Sequence, residues 1–382
     1  MKKPTLCVIF GGKSAEHYVS LRSAFGVLTH LDLEKYSLVR LGVTKEGKWY
    51  IFEGKNEEIL KDTWENGKVR AVTLDLSSGE LIELQGGGRI KIDVFLPIMH
   101  GEYVEDGRLQ GLFDICGARY VGCGAFASHI CMDKELTKNV ARSIGIPVAK
   151  GVVVNAKCKV QNAKLNSLSH ASVTAPHKAR LCKHASGKEP KNAKCMGVGT
   201  EIKYPVFVKP CMCGSSVGVS RVENEGELKG SIEEAAKHCD RVLIEEAIEG
   251  CEVEIALMER GQMLLASPVG MIRHGGKFYG YEEKYESREN EYIIPAPIEE
   301  KSAKYIEECA KKLFLEIGCR ALSRFDFFIK KNGEVVFNEV NTMPGFTEIS
   351  MFPKLFMHTG RPLESDRSYV NGYPAEQRES AE

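Results

Sequence analysis

The chain has 382 residues, 43% hydrophobic and 27% charged, the composition of an ordinary soluble globular protein of two or three domains. Its 52 basic residues balance 52 acidic ones, which speaks against a dedicated nucleic-acid binder, since those carry a basic excess. No apolar run approaches the ~20 residues of a membrane span, and 13 cysteines without a CxxC pair suit a reducing cytoplasm better than a zinc site or a disulfide framework.

In chain order, residues 5–10 read as a short apolar strand rather than a signal peptide. Gly11-Gly12 follows, then a helix carrying Val19, Leu21, Ala24 and Val27 at helical spacing, with Ser14 or Glu16 at its start. Strand, glycine turn and helix predict an α/β beginning with a ligand at the strand's carboxyl end. Strands are expected at 36–43, 49–52 and 93–99, the last ending at His100-Gly101. Glu16 and His100 both fall on strand-end loops, where binding residues collect. A helix is expected at 108–116 and a second helical region at 125–144, which contains Lys134.

The run 204–208 (YPVFV) reads as a strand ending at Lys209-Pro210, followed by the loop CMCGSSVGVS. Its glycines and serines can offer backbone N–H groups to phosphate oxygens, although it is not a Walker A loop. Strands at 241–246 and 252–258 bring Glu245 and Glu252 to strand ends, where they could accept from adenine and ribose groups or simply face solvent. The stretch FYGYEEKY at 278–285 suits a lid over a polar substrate. Residues 299–317 form a helix with Ile306, Ala310, Leu313 and Ile317 on one side.

The most informative stretch is RFDFFIKKNGEVVFNEVNTMPGFTEISM, 324–351. It reads as strands 324–329 and 335–341 joined by Asn332-Gly333, the preferred two-residue type I′ turn. With that turn Lys331 pairs with Glu334, Asp326 faces Glu339, and Arg324 faces Asn341. Side chains alternate along a strand, so these last four share one face while Phe325, Phe327 and Val340 share the other. Opposed Cβ atoms lie ~5 Å apart, so the two carboxylates repel unless a cation sits between them. An all-oxygen set of Asp, Glu and Asn suits Mg²⁺ or Mn²⁺ with substrate phosphates, and Arg324 suggests an anionic reaction centre.

Together, GGKSAEHYVSL, HGEYVEDGRLQG, MDKELTK, FVKPCMCGSSVGVS, LIEEAIEGCEVE, FYGYEEKY, SRFDFF and FNEVNTMPGFTEISM resemble, in order, the D-alanine–D-alanine ligases of the ATP-grasp superfamily. The resemblance covers 4–154 and 204–356. It implies an α/β chain, α+β in its ATP-grasp part, with a Rossmann-like N-terminal substrate domain (1–124) and two ATP-grasp subdomains (125–217 and 218–382). It implies ATP-driven joining of two D-alanines through an acyl phosphate for peptidoglycan, by a cytoplasmic homodimer with no membrane or nucleic-acid partner. By motif, Glu16 would hold the first substrate's ammonium, with Ser215 and Tyr285 bonded to it. Arg324 and the Gly345 N–H would form the oxyanion hole. His100 would lie near the first substrate, and Ser350 and Met351 would place the second. Asp326, Glu339 and Asn341 would bind two Mg²⁺ or Mn²⁺ ions. Lys134, Lys209, Ser216 and Lys284 would contact ATP, with Glu245, Ala247, Ile248 and Glu252 around the adenosine.

Two stretches depart from the resemblance. Residues 155–200 hold nine Lys or Arg against one acidic residue, Glu189, and read as an irregular basic loop. The tail after Phe356 has no apolar stripe where the family has a helix. A slipped reading frame would account for both. The rivals are a ligase taking D-serine or D-lactate second, with Tyr285 after Lys284 favouring D-alanine over D-lactate, and a homologue that binds nucleotide without turnover.

Overall fold

The structure, a computed structural model, describes residues 3–156, 203–273 and 291–359. The basic stretch from 157 to 200, residues 278–285 where a lid was expected, with Lys284 and Tyr285, and the tail from 360 onward lie outside the described residues. By its internal contacts the chain falls into two units. One comprises Met1–Val148, Cys213–Ser215 and Glu249–Glu382; the other comprises Ala149–Met212 and Ser216–Ile248.

The first unit begins with a seven-stranded sheet: β1 (Thr5–Gly11), β2 (Ser37–Val43), β3 (Trp49–Phe52), β4 (Val69–Leu74), β5 (Leu81–Glu83), β6 (Arg89–Ile90) and β7 (Val94–Pro97). Its order is β6-β5-β4-β3-β2-β1-β7. Only β2 and β7 run parallel to β1; the rest is an antiparallel meander. β1 is apolar from Leu6 to Phe10 because both of its faces are covered there. Leu6, Val8 and Phe10 pack with Leu21, Ala24 and Leu28 of the helix His17–His30, and Cys7 and Ile9 pack with Leu41, Phe95 and Phe113. At the carboxyl end of β1 the chain passes very close to β2: a Cβ on Gly11 would lie 2.2 Å from the Val43 carbonyl oxygen. Gly12 N–H donates to that same oxygen. The double glycine therefore lets the chain turn there and start the helix at the strand's end.

The helical region 125–144 is two helices, Ala125–Met132 and Lys134–Ser143. Asp133 breaks it. Its backbone is extended (φ −86°, ψ 104°) and its carboxylate accepts from the N–H groups of Glu135 and Leu136. An Asp at this position satisfies donors that a helix start leaves unpaired. The break places Lys134 as the first residue of the second helix.

The same unit carries a second sheet, in the order Glu291–Ile293, Gly270–Arg273, Gly250–Arg260, Leu322–Lys330 and Val335–Asn341, with Met263–Ala266 also paired to Gly250–Arg260. One face packs Val253, Ile255, Phe325, Phe327 and Phe337 against Ile306, Ala310, Leu313 and Ile317 of the helix Glu300–Ile317. The opposite face presents Glu254, Arg324, Asp326, Glu339 and Asn341.

The hairpin at the end of this sheet corrects the expected turn. Lys330 N–H donates to the Glu334 carbonyl and Gly333 N–H to the Lys330 carbonyl. The loop is therefore three residues, 331–333, of which only Gly333 has positive φ (83°). Asn332 accepts from Glu334 N–H through its side chain, an Asx turn that needs no left-handed asparagine. The loop puts the strands one residue out of the expected register, with Ile329 facing Val335 and Phe327 facing Phe337. The ladder then slips between Phe327 and Asp326, leaving Asn338 as the extra residue of a β-bulge. Beyond it Asp326 faces Glu339 and Arg324 faces Asn341. Two one-residue departures cancel.

The second unit has an antiparallel sheet in the order Ser220–Val222, Val206–Pro210, Arg241–Glu246 and Gly151–Asn155. The helix Glu225–Ala235 covers it, with Val206, Val208, Val222, Leu228, Val242 and Ile244 as its core.

Removing the Asp133 cap by Asp133→Ala should cost about 1 kcal/mol of stability. The urea midpoint should fall with an unchanged slope; an unaltered midpoint would mean that the helix break does not depend on this carboxylate.

Candidate active site

Two cavities of the first unit differ in chemistry. The larger, of about 760 Å³, is lined largely by apolar groups of the helix His17–His30 and of residues 346–357. The smaller, of about 170 Å³, gathers charged and polar groups from distant parts of the chain. Glu16 reaches it from the start of the first helix, and His100 and Glu105 from the loop after β7. Lys134 enters from the helix break, and Gly214 and Ser215 from the glycine-rich loop. The second sheet contributes Glu254, Arg324, Glu339 and Asn341; the loop beyond it contributes Gly345, Ser350 and Met351.

Local packing explains several of these positions. A Cβ on Gly214 would lie 3.1 Å from a carboxylate oxygen of Glu16, so the loop backbone approaches that carboxylate as only glycine comfortably allows. Ser215 has φ 49°, left-handed backbone that a short polar residue tolerates better than a branched one. The Ser350 hydroxyl meets the Thr347 hydroxyl at 2.8 Å and accepts from Thr347 N–H at 3.1 Å.

The two facing carboxylates are already neutralised, by side chains. Arg324 grips Asp326 through Nε and Nη2, both at 2.8 Å, and its Nε lies 3.1 Å from Glu254. Lys134 Nζ donates to Glu339 at 3.0 Å and to the Cys213 carbonyl at 3.1 Å. The cation required by two opposed carboxylates is thus supplied by Arg324 on one side and Lys134 on the other. Burial works against the charge on Arg324, but Asp326 and Glu254 outweigh it and hold its pKa well above the ordinary value. Among the described residues no His, Cys, Asp and Glu side chains are grouped in threes around a metal position. The donor chemistry nevertheless fits a hard divalent ion: two carboxylates and an amide oxygen on adjacent strands, of which Glu339 and Asn341 line the polar cleft. Asp326, Glu339 and Asn341 could hold such an ion once Arg324 and Lys134 release the carboxylates.

His100 is 4% exposed. Its Nε2 meets the Ser23 hydroxyl at 2.8 Å and its Nδ1 meets Glu105 at 3.4 Å. Burial opposes protonation, but the hydrogen bond and charge of Glu105, with Glu16 farther off, prevail and raise its pKa above 6.5.

Glu16, His100, Lys134, Ser215, Arg324, Glu339, Asn341, Gly345, Ser350 and Met351, all singled out from sequence, line this cleft. Asp326 does not; it is 2% exposed and lies behind Arg324. Glu252 lies elsewhere on its strand, opposite Phe328. Lys209, Ser216, Glu245, Ala247 and Ile248 belong to the second unit, where Lys209 and Glu245 form a buried ion pair at 2.5 Å. Lys284 and Tyr285 lie outside the described residues. Sequence reasoning missed Glu105 and Glu254. HGEYVEDG held a signal for the first, a carboxylate five residues from His100. Glu254 stood in an alternating strand, but what it faces depends on a pairing with residues about seventy positions away.

The comparisons agree with the geometry. A family model described as D-ala D-ala ligase N-terminus matches residues 5–123, and one described as D-ala D-ala ligase C-terminus matches 168–365. The chain belongs to the D-alanine–D-alanine ligase family. It is accordingly an enzyme of the carboxylate–amine ligase class, with the ATP-grasp fold, and it uses ATP and small-molecule substrates. The D-alanine–D-alanine ligase of Caldicellulosiruptor bescii is 36% identical over 366 residues, 95% of this chain and 92% of that protein. That of Clostridium novyi is 35% identical over 364 residues, 94% of each. Among solved structures, the VanG D-Ala:D-Ser ligase from Enterococcus faecalis is similar with a TM-score of 0.79 and 31% identity, over 97% of this chain and 98% of that one. The D-alanine-D-alanine ligase from Coxiella burnetii follows with 0.77 and 27%, over 97% and 94%. The C-terminal family match extends past both edges of the motif-bearing segment 204–356. Among the described residues no helix is long and apolar enough to cross a membrane.

Because the folded pKa of His100 is raised, its contribution to stability is complete below the unfolded value of ~6.5 and is lost as pH climbs through the folded one. The melting-temperature gap between wild type and His100→Gln should therefore be wider at pH 6 than at pH 9. An equal gap at both would contradict a charged His100–Glu105 pair.

Proposed function

We propose that this chain joins two D-alanines into D-alanyl-D-alanine for peptidoglycan synthesis, using ATP to activate the first carboxylate. One observation carries the proposal: Arg324 and Asp326 stand opposite Asn341 and Glu339 on one sheet face, and that face borders a cleft shared with Glu16 and Ser350. A free carboxylate is a poor electrophile. Phosphorylating it creates a leaving group, and the amine of the second D-alanine then attacks the acyl phosphate and expels phosphate.

Each group of the cleft has a task in that sequence. Glu16, 7% exposed, is a buried anion suited to the first substrate's ammonium, because buried charge is stable when paired. Ser215 lies beside it, and His100 near the same substrate. Arg324 and the Gly345 N–H are the donors for the oxyanion that develops during attack, a preorganised term often large in acyl transfer. Ser350, fixed by Thr347, receives the second substrate's carboxylate beside Met351. By the family resemblance alone, we assign ATP contacts to Lys134, Lys209, Ser216 and Lys284, and adenosine contacts to Glu245, Ala247, Ile248 and Glu252. Asp326, Glu339 and Asn341 would hold two Mg²⁺ or Mn²⁺ ions, whose charge neutralises the phosphates. We assign the first substrate to domain 1–124 and the nucleotide to subdomains 125–217 and 218–382. We take the working form to be a cytoplasmic homodimer.

Phosphate release should be measured with ATP and D-alanine, then with D-serine or D-lactate beside D-alanine. Release with D-alanine alone, not exceeded with the others, is expected. Faster turnover with D-serine would overturn the choice of second substrate, and ATP binding without release would overturn the activity. Glu339→Ala should abolish turnover; retained release would remove Glu339 from the site. A Cβ on Gly345 would fall 2.5 Å from the Ser350 hydroxyl, so Gly345→Ala should cost about 100-fold in kcat/KM for the second D-alanine, the scale of an ångström-sized misplacement. An unchanged value would exclude this packing as a determinant of substrate position.

A further inference from the structure

Three carboxylates stand in one row across three strands: Glu254 faces Asp326, and Asp326 faces Glu339. Arg324 occupies the neighbouring rung of the central strand, between Ala256 and Asn341. Its fork is closed on Asp326, and its Nε also lies 3.1 Å from Glu254. The three side chains are well buried, 18% exposed for Arg324, 9% for Glu254 and 3% for Asp326. Arg324 and Glu254 line the cleft while Asp326 lies behind.

The arrangement poses a problem for the site as assigned above. Asp326 cannot offer its oxygens freely to a divalent ion while both accept from Arg324. If it turned away, a buried guanidinium would lose its closest partner, and stranding a buried charge costs several kcal/mol. A second anion already within reach of the guanidinium removes that cost.

We propose that Glu254 is a positioning residue, the permanent counter-ion of Arg324. It holds the guanidinium at the cleft wall while Asp326 exchanges between Arg324 and the ion. Asp326 is the movable partner of the three and Glu254 the fixed one. Glu254 touches neither substrate nor ion in this role; it acts through Arg324. The proposal rests on the assignment of Asp326 and Glu339 as ion ligands.

The test is equilibrium dialysis of Mn²⁺ against the full chain, without nucleotide or turnover, for wild type, Glu254→Gln, Arg324→Met and the double variant. A double-mutant cycle isolates the coupling. Glu254→Gln leaves Arg324 committed to Asp326, so Mn²⁺ affinity should fall about 10-fold, the effect of ~1.4 kcal/mol. With Arg324→Met in place there is no guanidinium to hold, and adding Glu254→Gln should change affinity less than about 2-fold, within the usual error of additivity. An equal loss in both backgrounds would make Glu254 a direct ligand or a mere nearby charge, and no loss in either would make it structural; each result overturns the proposal. Should Glu254→Gln not fold, Glu254→Asp keeps the charge but shortens the reach, and must show the same dependence on Arg324. Wild type that binds Mn²⁺ while the cycle shows no coupling refutes only the role of Glu254. Wild type that binds no Mn²⁺ refutes the ion site itself, and this role with it.

Discussion

Everything at this site depends on like charges held at close range on one sheet face. Glu254, Asp326 and Glu339 are brought level by strand pairing, which fixes their backbones in one row. Such a row is stable only with cations. Here they come from Arg324 on the same face and from Lys134 at the start of a helix. The electrostatic demand of the row therefore extends beyond the sheet, to the helix break that sets where Lys134 begins.

The same charges bear on the proposed binding of an ion and a nucleotide. Both side-chain cations occupy positions that positive charge must occupy; Lys134 is long and flexible enough to leave Glu339, whereas in the role proposed for Glu254 it is Asp326 that turns from Arg324. Lys134 is bonded to the carboxylate that faces the cleft, Arg324 to the one behind it. The same cleft is lined by a second pair, His100 with Glu105, together with Glu16. Of these pairs, Lys134–Glu339 joins elements far apart in sequence, tying the helix that begins at Lys134 to the second sheet of the same unit.

Much of this was legible in the chain. Alternation in 324–329 and 335–341 separated Phe325, Phe327 and Val340 from Arg324, Asp326 and Glu339, because one face of that sheet must bury a helix; Phe337, two residues before Glu339, joins the buried face only through the bulge at Asn338. The helix 299–317 was visible from its apolar stripe. The turn was not. Asn-Gly favours a two-residue hairpin, but Asn332 satisfies Glu334 N–H with its side chain and the loop takes three residues. Only the bulge at Asn338 restores the pairing of Asp326 with Glu339, and no local signal announces a bulge. The break at Asp133 was written in the sequence as an N-cap, an Asp between the apolar run Ala125–Met132 and the polar run that starts Lys134-Glu135, but helical propensity on both sides made the region read as one helix. Glu254 was invisible for a deeper reason: the strand Gly250–Arg260 finds its neighbour Leu322–Lys330 through long-range pairing, which no short motif encodes.

The central claim is that Asp326 and Glu339 serve as ligands of divalent ions once Asp326 parts from Arg324 and Glu339 from Lys134. Crystals of the full chain grown with Mn²⁺ and ADP, with diffraction recorded at the manganese absorption edge, test it directly. Anomalous peaks bonded to Asp326, Glu339 and Asn341, with Lys134 drawn off Glu339, are the predicted result. Manganese bound elsewhere, with the Lys134–Glu339 and Arg324–Asp326 pairs intact, would contradict it.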